Sequence, residues 1–382
     1  MNTSAGIYVH FPFCASKCNY CGFYTIPDNS AKIQEYLNAL TKEMAMQSPK
    51  AKNLLIDTIF LGGGTPSLMT HRQLEKIFSD LEKYFVLSEK MEITLEANPT
   101  SITKKKSTEL YATPINRISF GCQSFDKGLL KLLGRNHQPE DSERIFFLFR
   151  EAGFANISID LIFSIPGQSM TQWLDSLQKV LDLRPEHVSL YCLSYEDGTR
   201  FKNLLKKGSL TPLDEDTELA MFQNCIEILT SAGYIHYEIS NFALPGYESK
   251  HNTLYWKNLP CVGLGTSAFS FINGDRFQTI PHVQNYISSL QNPHPQIYCN
   301  RENLSEENSL HETTALNVRL IHEGIDLNEL QQKYPDLDVS KILLPIIHNL
   351  INEQLLEEAE SEKFLLTSKG IHFADYIATE LL

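Results

Sequence analysis

Six apolar segments with the look of strands alternate with amphipathic stretches over the first two-thirds of the chain, and that alternation leaves few folds open. The segments are GIYVHF, DTIFLG, MEITLEA, RISFG, NISIDLIF and HVSLYCL. Between them, apolar residues recur at helical spacing over Lys32–Met46, Arg72–Tyr84, Glu140–Ala152 and Thr171–Leu181, with Pro139 placed where a helix can begin. Strand–helix repeats of this kind build parallel α/β sheets whose strand carboxyl ends share one rim. Six repeats rather than eight predict an incomplete (β/α)6 barrel with an open side.

What leaves each strand is unusual, and all of it falls on that rim. The first strand runs into Cys14-Ala-Ser-Lys-Cys18-Asn-Tyr-Cys21, and the second into Gly62-Gly63-Gly64-Thr65-Pro66. The third ends in Glu96-Ala-Asn98-Pro99 and the fourth in Gly121-Cys-Gln123-Ser-Phe125. The fifth carries Asp160 and ends in Pro166-Gly167-Gln168, while the sixth closes with Ser194-Tyr-Glu196-Asp-Gly198.

The cysteine loop has the most specific chemistry. A CxxxCxxC run gathers three thiolates on one short loop and supplies no fourth. An iron–sulfur cube held by thiolates normally takes four, so three leave one iron open to an exchangeable ligand. Structural zinc wants four closed ligands, usually from two separated cysteine pairs, and His10 would be an awkward fourth here. A disulfide would strand one thiol. The other five cysteines (Cys122, Cys192, Cys225, Cys261 and Cys299) are scattered and read as small buried hydrophobes. In the glycine run, three residues without Cβ let a ligand come close to exposed backbone N–H groups. A second glycine-rich run, Gly263-Leu-Gly265-Thr-Ser-Ala268, matches the dinucleotide fingerprint but lacks the strand–helix–strand setting and the later acidic residue.

The cysteine triplet with aromatic residues inside and behind it resembles the radical S-adenosylmethionine (SAM) superfamily. That resemblance implies a 4Fe–4S cluster on Cys14, Cys18 and Cys21. Its open iron would bind the amino and carboxylate groups of SAM, and one electron would split SAM to methionine and a 5′-deoxyadenosyl radical. The run Tyr8-Val-His10-Phe-Pro12-Phe13-Cys14, together with GGGTP, EANP and GCQSF, resembles the oxygen-independent coproporphyrinogen III oxidase family. Carried over residue by residue, the family's SAM contacts are Tyr8 and Tyr20 beside the cluster and Gly63, Gly64 and Thr65 at the methionine end. Glu96, Gln123, Arg135 and Asp160 would meet the polar groups, including the ribose. Ser194 and Phe269 fall at further family contacts where the residue types differ. Acidic side chains suit a cationic cofactor and its hydroxyls, and Arg135 can make a charge-assisted bond to a carboxylate.

One departure separates the branches. The oxidases carry another cysteine two positions after the third cluster ligand, and this chain has Phe23 there. That substitution resembles the haem-chaperone branch, which also shares HNxxYW, present here as His251-Asn252-Thr-Leu-Tyr255-Trp256. On a helix, His251 and Tyr255 share one face, and Asn252 and Trp256 another. An imidazole can ligate haem iron and flat rings can pack on a porphyrin; by pattern alone the same residues suit a packed aromatic corner, and Phe23 turns the reading toward haem. Cys261 or another histidine could also serve as the iron ligand. The resemblance implies a chaperone that binds haem and passes it to an acceptor protein, with an electron donor for the cluster. The alternative is oxidative decarboxylation of coproporphyrinogen propionates.

Three regions are expected: a core barrel over 1–234, the HNxxYW region and connection over 235–304, and an acidic unit over 305–382. In the last, helices at Glu306–Ile321, Ile325–Tyr334 and Val339–Asn352 precede a hairpin and a final helix, like the winged-helix appendage of the family. Between Ser305 and Leu382 five basic residues face fifteen acidic ones, a net of −10 within a chain total of −13. That balance would repel phosphate and argues against a nucleic-acid partner. It suits a packing or partner-docking unit. The absence of a long apolar run argues against a membrane span and leaves peripheral contact open. Unpaired cysteines and the lack of a secretory pattern point to a cytoplasmic setting.

Overall fold

A computed structural model describes residues 3–382. The six expected strands form at Thr3–Phe11 (β1), Leu54–Gly63 (β2), Leu87–Ala97 (β3), Arg117–Gln123 (β4), Ile157–Phe163 (β5) and His187–Cys192 (β6). They pair in parallel in chain order. The intervening helices are framed by the local chemistry that starts and stops helices. Thr70 and Gln73 form a reciprocal capping box before His71–Tyr84, and Ser169 and Gln172 form another before Met170–Leu183. Pro139 opens the Pro139–Ala152 helix and Gly153, at φ 113°, ends it in the left-handed region.

The sheet curves into a partial barrel. In pairing order β1 and β6 stand five places apart, yet the loops that follow them touch. The Phe201 amide donates to Asn19 O at 2.9 Å, and Glu196 packs against Gly22. Apolar side chains on the outer strand faces pack under the helices in one large core, with Trp173 fully buried and its indole donating to Met221 O at 2.9 Å. Inward-facing positions are polar instead: Thr58, Thr94, Glu96, Ser119, Ser158 and Asp160. Period-two alternation puts them on one face.

Residues 235–304 extend this sheet at both edges. Ile235–Glu238 and Asn241–Ala243 add antiparallel strands beside β6, while Cys261–Leu264 pairs parallel to β1 and is followed by Phe269–Ile272, Asp275–Thr279 and Tyr298–Asn303. The Lys250–Trp256 helix lies between the two edges. The Gly263–Ala268 run begins inside the Cys261–Leu264 strand and turns into antiparallel pairing with Phe269–Ile272, with no helix behind it. Instead, buried Glu43 accepts from Gly265 N at 2.6 Å and from Tyr286 OH at 2.6 Å, and Tyr36 OH donates to His10 O at 2.7 Å. These bonds tie the turn to the strand that leads to the cysteines.

The last part of the chain has its own apolar core, including Leu310, Val318, Leu343, Ile347, Phe364 and Ile377. Helices Glu306–Asn317, Leu327–Lys333 and Val339–Asn352 pack on a three-stranded sheet of Ile325–Asp326, Lys363–Leu366 and Leu356–Glu360, giving the winged-helix-like appendage. The first two helices are shorter than their apolar pattern suggests: the first ends at Asn317, with Leu320 bridging to Glu238, and the second starts at Leu327 because Ile325–Asp326 pairs with Phe364 and Lys363. The final helix is split at Phe373.

Candidate cluster and cofactor site

The cysteine loop is anchored from three directions. Asn19 receives Phe201 N–H at its carbonyl, its own N–H donates to Leu133 O at 2.9 Å, and its side chain donates to Leu132 O at 2.8 Å. Ile26 N donates to Pro12 O and Asp28 N to Cys14 O, which closes the loop at its base. Leu129, Leu133, Ile162, Leu193 and Phe201 form a small apolar cluster beneath it, on which Tyr20 packs. The three thiols are half-buried, and burial raises the pKa of Cys14 and Cys21. Cys14 Sγ lies 3.4 Å from Thr65 Oγ1, and the Arg135 guanidinium donates to Cys18 Sγ at 3.6 Å. Among the described residues no three His, Cys, Asp or Glu side chains converge tightly enough to hold a single metal ion. Cluster thiolates bind separate irons and need no common point. His10 is buried among bonds of its own, with Nδ1 at 3.1 Å from Tyr8 OH and Nε2 at 3.1 Å from Tyr24 O. It is not a fourth ligand.

The remaining rim residues surround this loop. The Gly64 amide donates to Phe11 O at 2.8 Å and the Thr65 amide to Phe13 O at 2.9 Å, zipping the glycine turn to the chain that enters the cysteines. Gly63, at φ 104°, donates to Glu96 Oε2 at 3.1 Å, and a Cβ there would strike the His10 ring. Gln123 is held in the left-handed region at φ 68°, a strained position that is common at working sites. Its Oε1 is buried without a partner, as is Arg135 Nε. Buried polar atoms left unbonded by the protein are what a polar cofactor would satisfy. The donor set therefore fits SAM and a three-thiolate cluster. Ser194 is exposed beyond the end of β6, and Phe269 is 52 % exposed on a strand two places from β1. Neither is held by bonds to the Glu96–Arg135 group.

Two acids face the barrel interior. Burial, reinforced by the like charge of Asp160, raises Glu96 to about 7. Burial raises Asp160 to about 6, against hydrogen bonds from Ser119 and Ser189 and the positive charge of Arg117. Both folded values lie above the ordinary carboxylate range, so the stability these groups add is complete below about pH 4, the unfolded value, and is lost as pH rises from there through 6 to 7. Denaturant titrations of the cofactor-free protein are expected to show stability falling over that interval, and Glu96→Gln should flatten the fall. An unchanged slope in the variant would assign it to other groups.

The HNxxYW residues lie elsewhere, on the barrel floor. Ser249 caps the Lys250–Trp256 helix, and Glu92 of β3 accepts from the Lys250 and His251 amides. His251 is 1 % exposed, with Nδ1 at 2.7 Å from Thr58 Oγ1 and Nε2 at 3.2 Å from Tyr255 OH, and it stacks on Phe60. Burial lowers it to about 3. Cys261 is buried against Tyr255 OH at 3.5 Å. Asn252 and Trp256 lie on other faces of the same helix, half-buried. In this arrangement both imidazole nitrogens are engaged by the protein, so haem ligation by His251 requires the Thr58 or the Tyr255 bond to break. Gly6 fits against this ring: a Cβ there would lie 2.8 Å from Thr58 Oγ1 and 3.1 Å from His251 Cε1.

Arg117 is the functional-looking residue that the motif reading passed over. It is 1 % exposed in the barrel interior, bonds Thr94 Oγ1 at 3.5 Å and has an unpartnered Nε. Its charge helps to hold Asp160 ionised and His251 neutral. The available signal was its phase in RISFG, two residues before Ser119 on the inward face.

Phe23, the residue in place of the oxidases' extra cysteine, is 63 % exposed beside the loop, with its backbone directed at Cys21. A family model of the radical SAM superfamily matches residues 8–180. The haem chaperone HemW of Lactococcus lactis subsp. lactis is 35 % identical over 98 % of this chain and 96 % of its own. HemW of Bacillus subtilis is 34 % identical over 94 % of each chain. In fold, the chain is similar to the coproporphyrinogen III oxidase HemN of Escherichia coli, with a TM-score of 0.85 at 22 % identity over 100 % of this chain and 90 % of that one. The chain belongs to the HemW haem-chaperone family of the radical SAM superfamily.

Proposed function

We propose that the protein is a haem chaperone that takes up haem and passes it to an acceptor protein, using a 4Fe–4S cluster and SAM. The observation that carries this reading is kinship with HemW proteins along nearly the whole chain, the C-terminal unit included. Phe23 supports it, because a bulky apolar side chain stands where the oxidases place a thiol.

Cys14, Cys18 and Cys21 would hold the cluster, whose open iron would anchor SAM and supply one-electron chemistry when an external donor reduces it. Gly63, Gly64 and Thr65 would meet the methionine end through their carbonyls and the Thr65 side chain, because their amides, expected to be exposed, are taken by Glu96, Phe11 and Phe13. Arg135 would pair with the carboxylate, and Gln123, Glu96 and Asp160 with the other polar groups. Tyr8 and Tyr20 wall the cluster side, while Ser194 and Phe269 would line the outer edge. His251, Asn252, Tyr255 and Trp256 form the proposed haem region. The three stretches 1–234, 235–304 and 305–382 are proposed as barrel, haem region with connection, and docking unit, although the middle stretch shares the barrel's sheet. Among the described residues no helix is long and apolar enough to cross a membrane. We place the protein in the cytoplasm, where reduced thiols persist.

The test is anaerobic reconstitution followed by two parallel assays. Haem titration is expected to give a saturable Soret change. With SAM and a reductant, the same preparation should make no protoporphyrinogen from coproporphyrinogen III. Substantial turnover would overturn the chaperone reading whatever the haem affinity. Phe23→Cys alone should not create the oxidase, since substrate placement depends on a whole supporting shell.

A further inference from the structure

The Lys250–Trp256 helix is held on two sides by different parts of the molecule. Its inner side carries His251, bonded to Thr58 and Tyr255, with Glu92 binding the helix amides from β3. Its outer side is gripped by the C-terminal unit. The Arg319 guanidinium lies over the Trp256 ring, 4.5 Å from its centroid, and reaches Asp375 at 3.3 Å and buried Glu238 at 3.9 Å. Just past the helix, Lys257 pairs with Glu323 at 2.6 Å and Asn258 donates to Thr313 Oγ1 at 3.0 Å. Lys333 donates to the Lys257 and Asn258 carbonyls, each at 3.2 Å. One seven-residue helix therefore joins the barrel floor to the acidic unit.

This seam is incompletely satisfied. Trp256 Nε1, Arg319 Nε, Glu238 Oε2 and Asn241 Oδ1 are all buried without hydrogen-bond partners. Glu238 Oε2 keeps only the Arg319 charge at 3.9 Å, and the other three have no protein bond in place of water, which weakens the closed arrangement. Trp256 Nε1 and Arg319 Nε lie on the contact itself, and opening it would return both to water. Arg319 is the contact that bears on the helix directly; the unit is also tied to the barrel by the Arg276–Glu312 pair at 2.5 Å and by Ile321 N donating to Tyr237 O at 3.1 Å.

We propose that this helix is a latch through which the C-terminal unit controls access to His251. While Arg319 covers Trp256, the imidazole is sealed in the barrel floor. Release of the unit frees the helix to lift, which breaks the Thr58 and Tyr255 bonds and offers the ring nitrogens to haem iron. The proposal rests on the haem-chaperone reading and adds its regulation. Arg319 acts in it as a positioning residue, through Trp256.

Hydrogen exchange over residues 250–258 tests the latch without haem, and stopped-flow Soret measurements test its consequence. Arg319→Ala should raise exchange in that segment and speed haem association about ten-fold, the response of a minor open state made more populated. Arg319→Lys keeps a cation over the ring and should restore most of the wild-type behaviour. If Arg319→Ala does not fold, Lys257→Ala breaks the Glu323 pair alone and should move both readouts in the same direction with smaller amplitude. Unchanged exchange over 250–258 in a folded variant overturns the latch. Faster exchange with an unchanged haem rate overturns its control of haem access. A wild-type protein that takes up no haem overturns the chaperone reading and the haem step with it, and the exchange arm keeps that failure distinct from failure of the latch.

Discussion

Replacing Cys14, Cys18 or Cys21 with Ala, one at a time, is expected to abolish the iron–sulfur absorption of anaerobically reconstituted protein. The loop offers three thiols, and His10, the nearest imidazole, is already bonded to Tyr8 and Tyr24. Losing one thiol from a set of three leaves two irons without protein anchors, which is too few to retain a cube. The fold should survive, because the loop is anchored through Asn19 and the Ile26 and Asp28 amides rather than through sulfur. Cys225 and Cys192 provide the contrast. Cys225 is a buried thiol donating to Phe222 O at 2.9 Å, and Cys192 is pushed up to about 12 by burial and Glu218. Ala at either should leave iron and sulfide content unchanged. Full iron and sulfide in any of the three loop variants would strike that cysteine from the ligand set.

The rim was legible because its chemistry is local. Each unusual cluster follows an apolar run, and parallel strands send all their carboxyl ends the same way. The floor was not legible, because it is assembled from residues far apart in the chain. Gly6, Thr58, Glu92 and His251 become neighbours only when three strands curve under one helix. Nothing in HNxxYW by itself says that its histidine points inward at Thr58. The strands of residues 261–303 are hard to read for a different reason. Phe269–Ile272 and Asp275–Thr279 are short and flank Asn273-Gly274, both at positive φ, which is the two-residue hairpin signature. In the appendage, helix content was clear from periodicity. The ends shifted where three-stranded pairing claimed Ile325 and Asp326.

Gly64→Ala is expected to cost the protein its cluster while leaving every cysteine in place. The reason is space rather than backbone freedom. A Cβ at this position would lie 2.6 Å from Phe13 O, 2.7 Å from Phe11 O and 2.9 Å from Phe13 N. All three are backbone atoms of the segment that delivers Cys14, so none can swing aside as the tip of a side chain could. Relief requires the two segments to part, which breaks the Gly64–Phe11 and Thr65–Phe13 hydrogen bonds and moves Cys14 away from Thr65. Overpacking of this kind typically costs about 1–3 kcal/mol, enough to lower the melting temperature without unfolding the chain. The functional loss should exceed the stability loss, because the same displacement spoils the thiol spacing and the backbone surface offered to SAM. Gly167→Ala on the same rim serves as the control. With no atom within 4 Å and φ 76°, it meets only the left-handed conformational penalty of about 1–2 kcal/mol, and it should assemble a full cluster. Iron and sulfide content, SAM affinity and melting temperature measured together separate the two effects. A Gly64→Ala protein with a full cluster and wild-type SAM affinity would show that the turn and the cysteine loop are not coupled in this way.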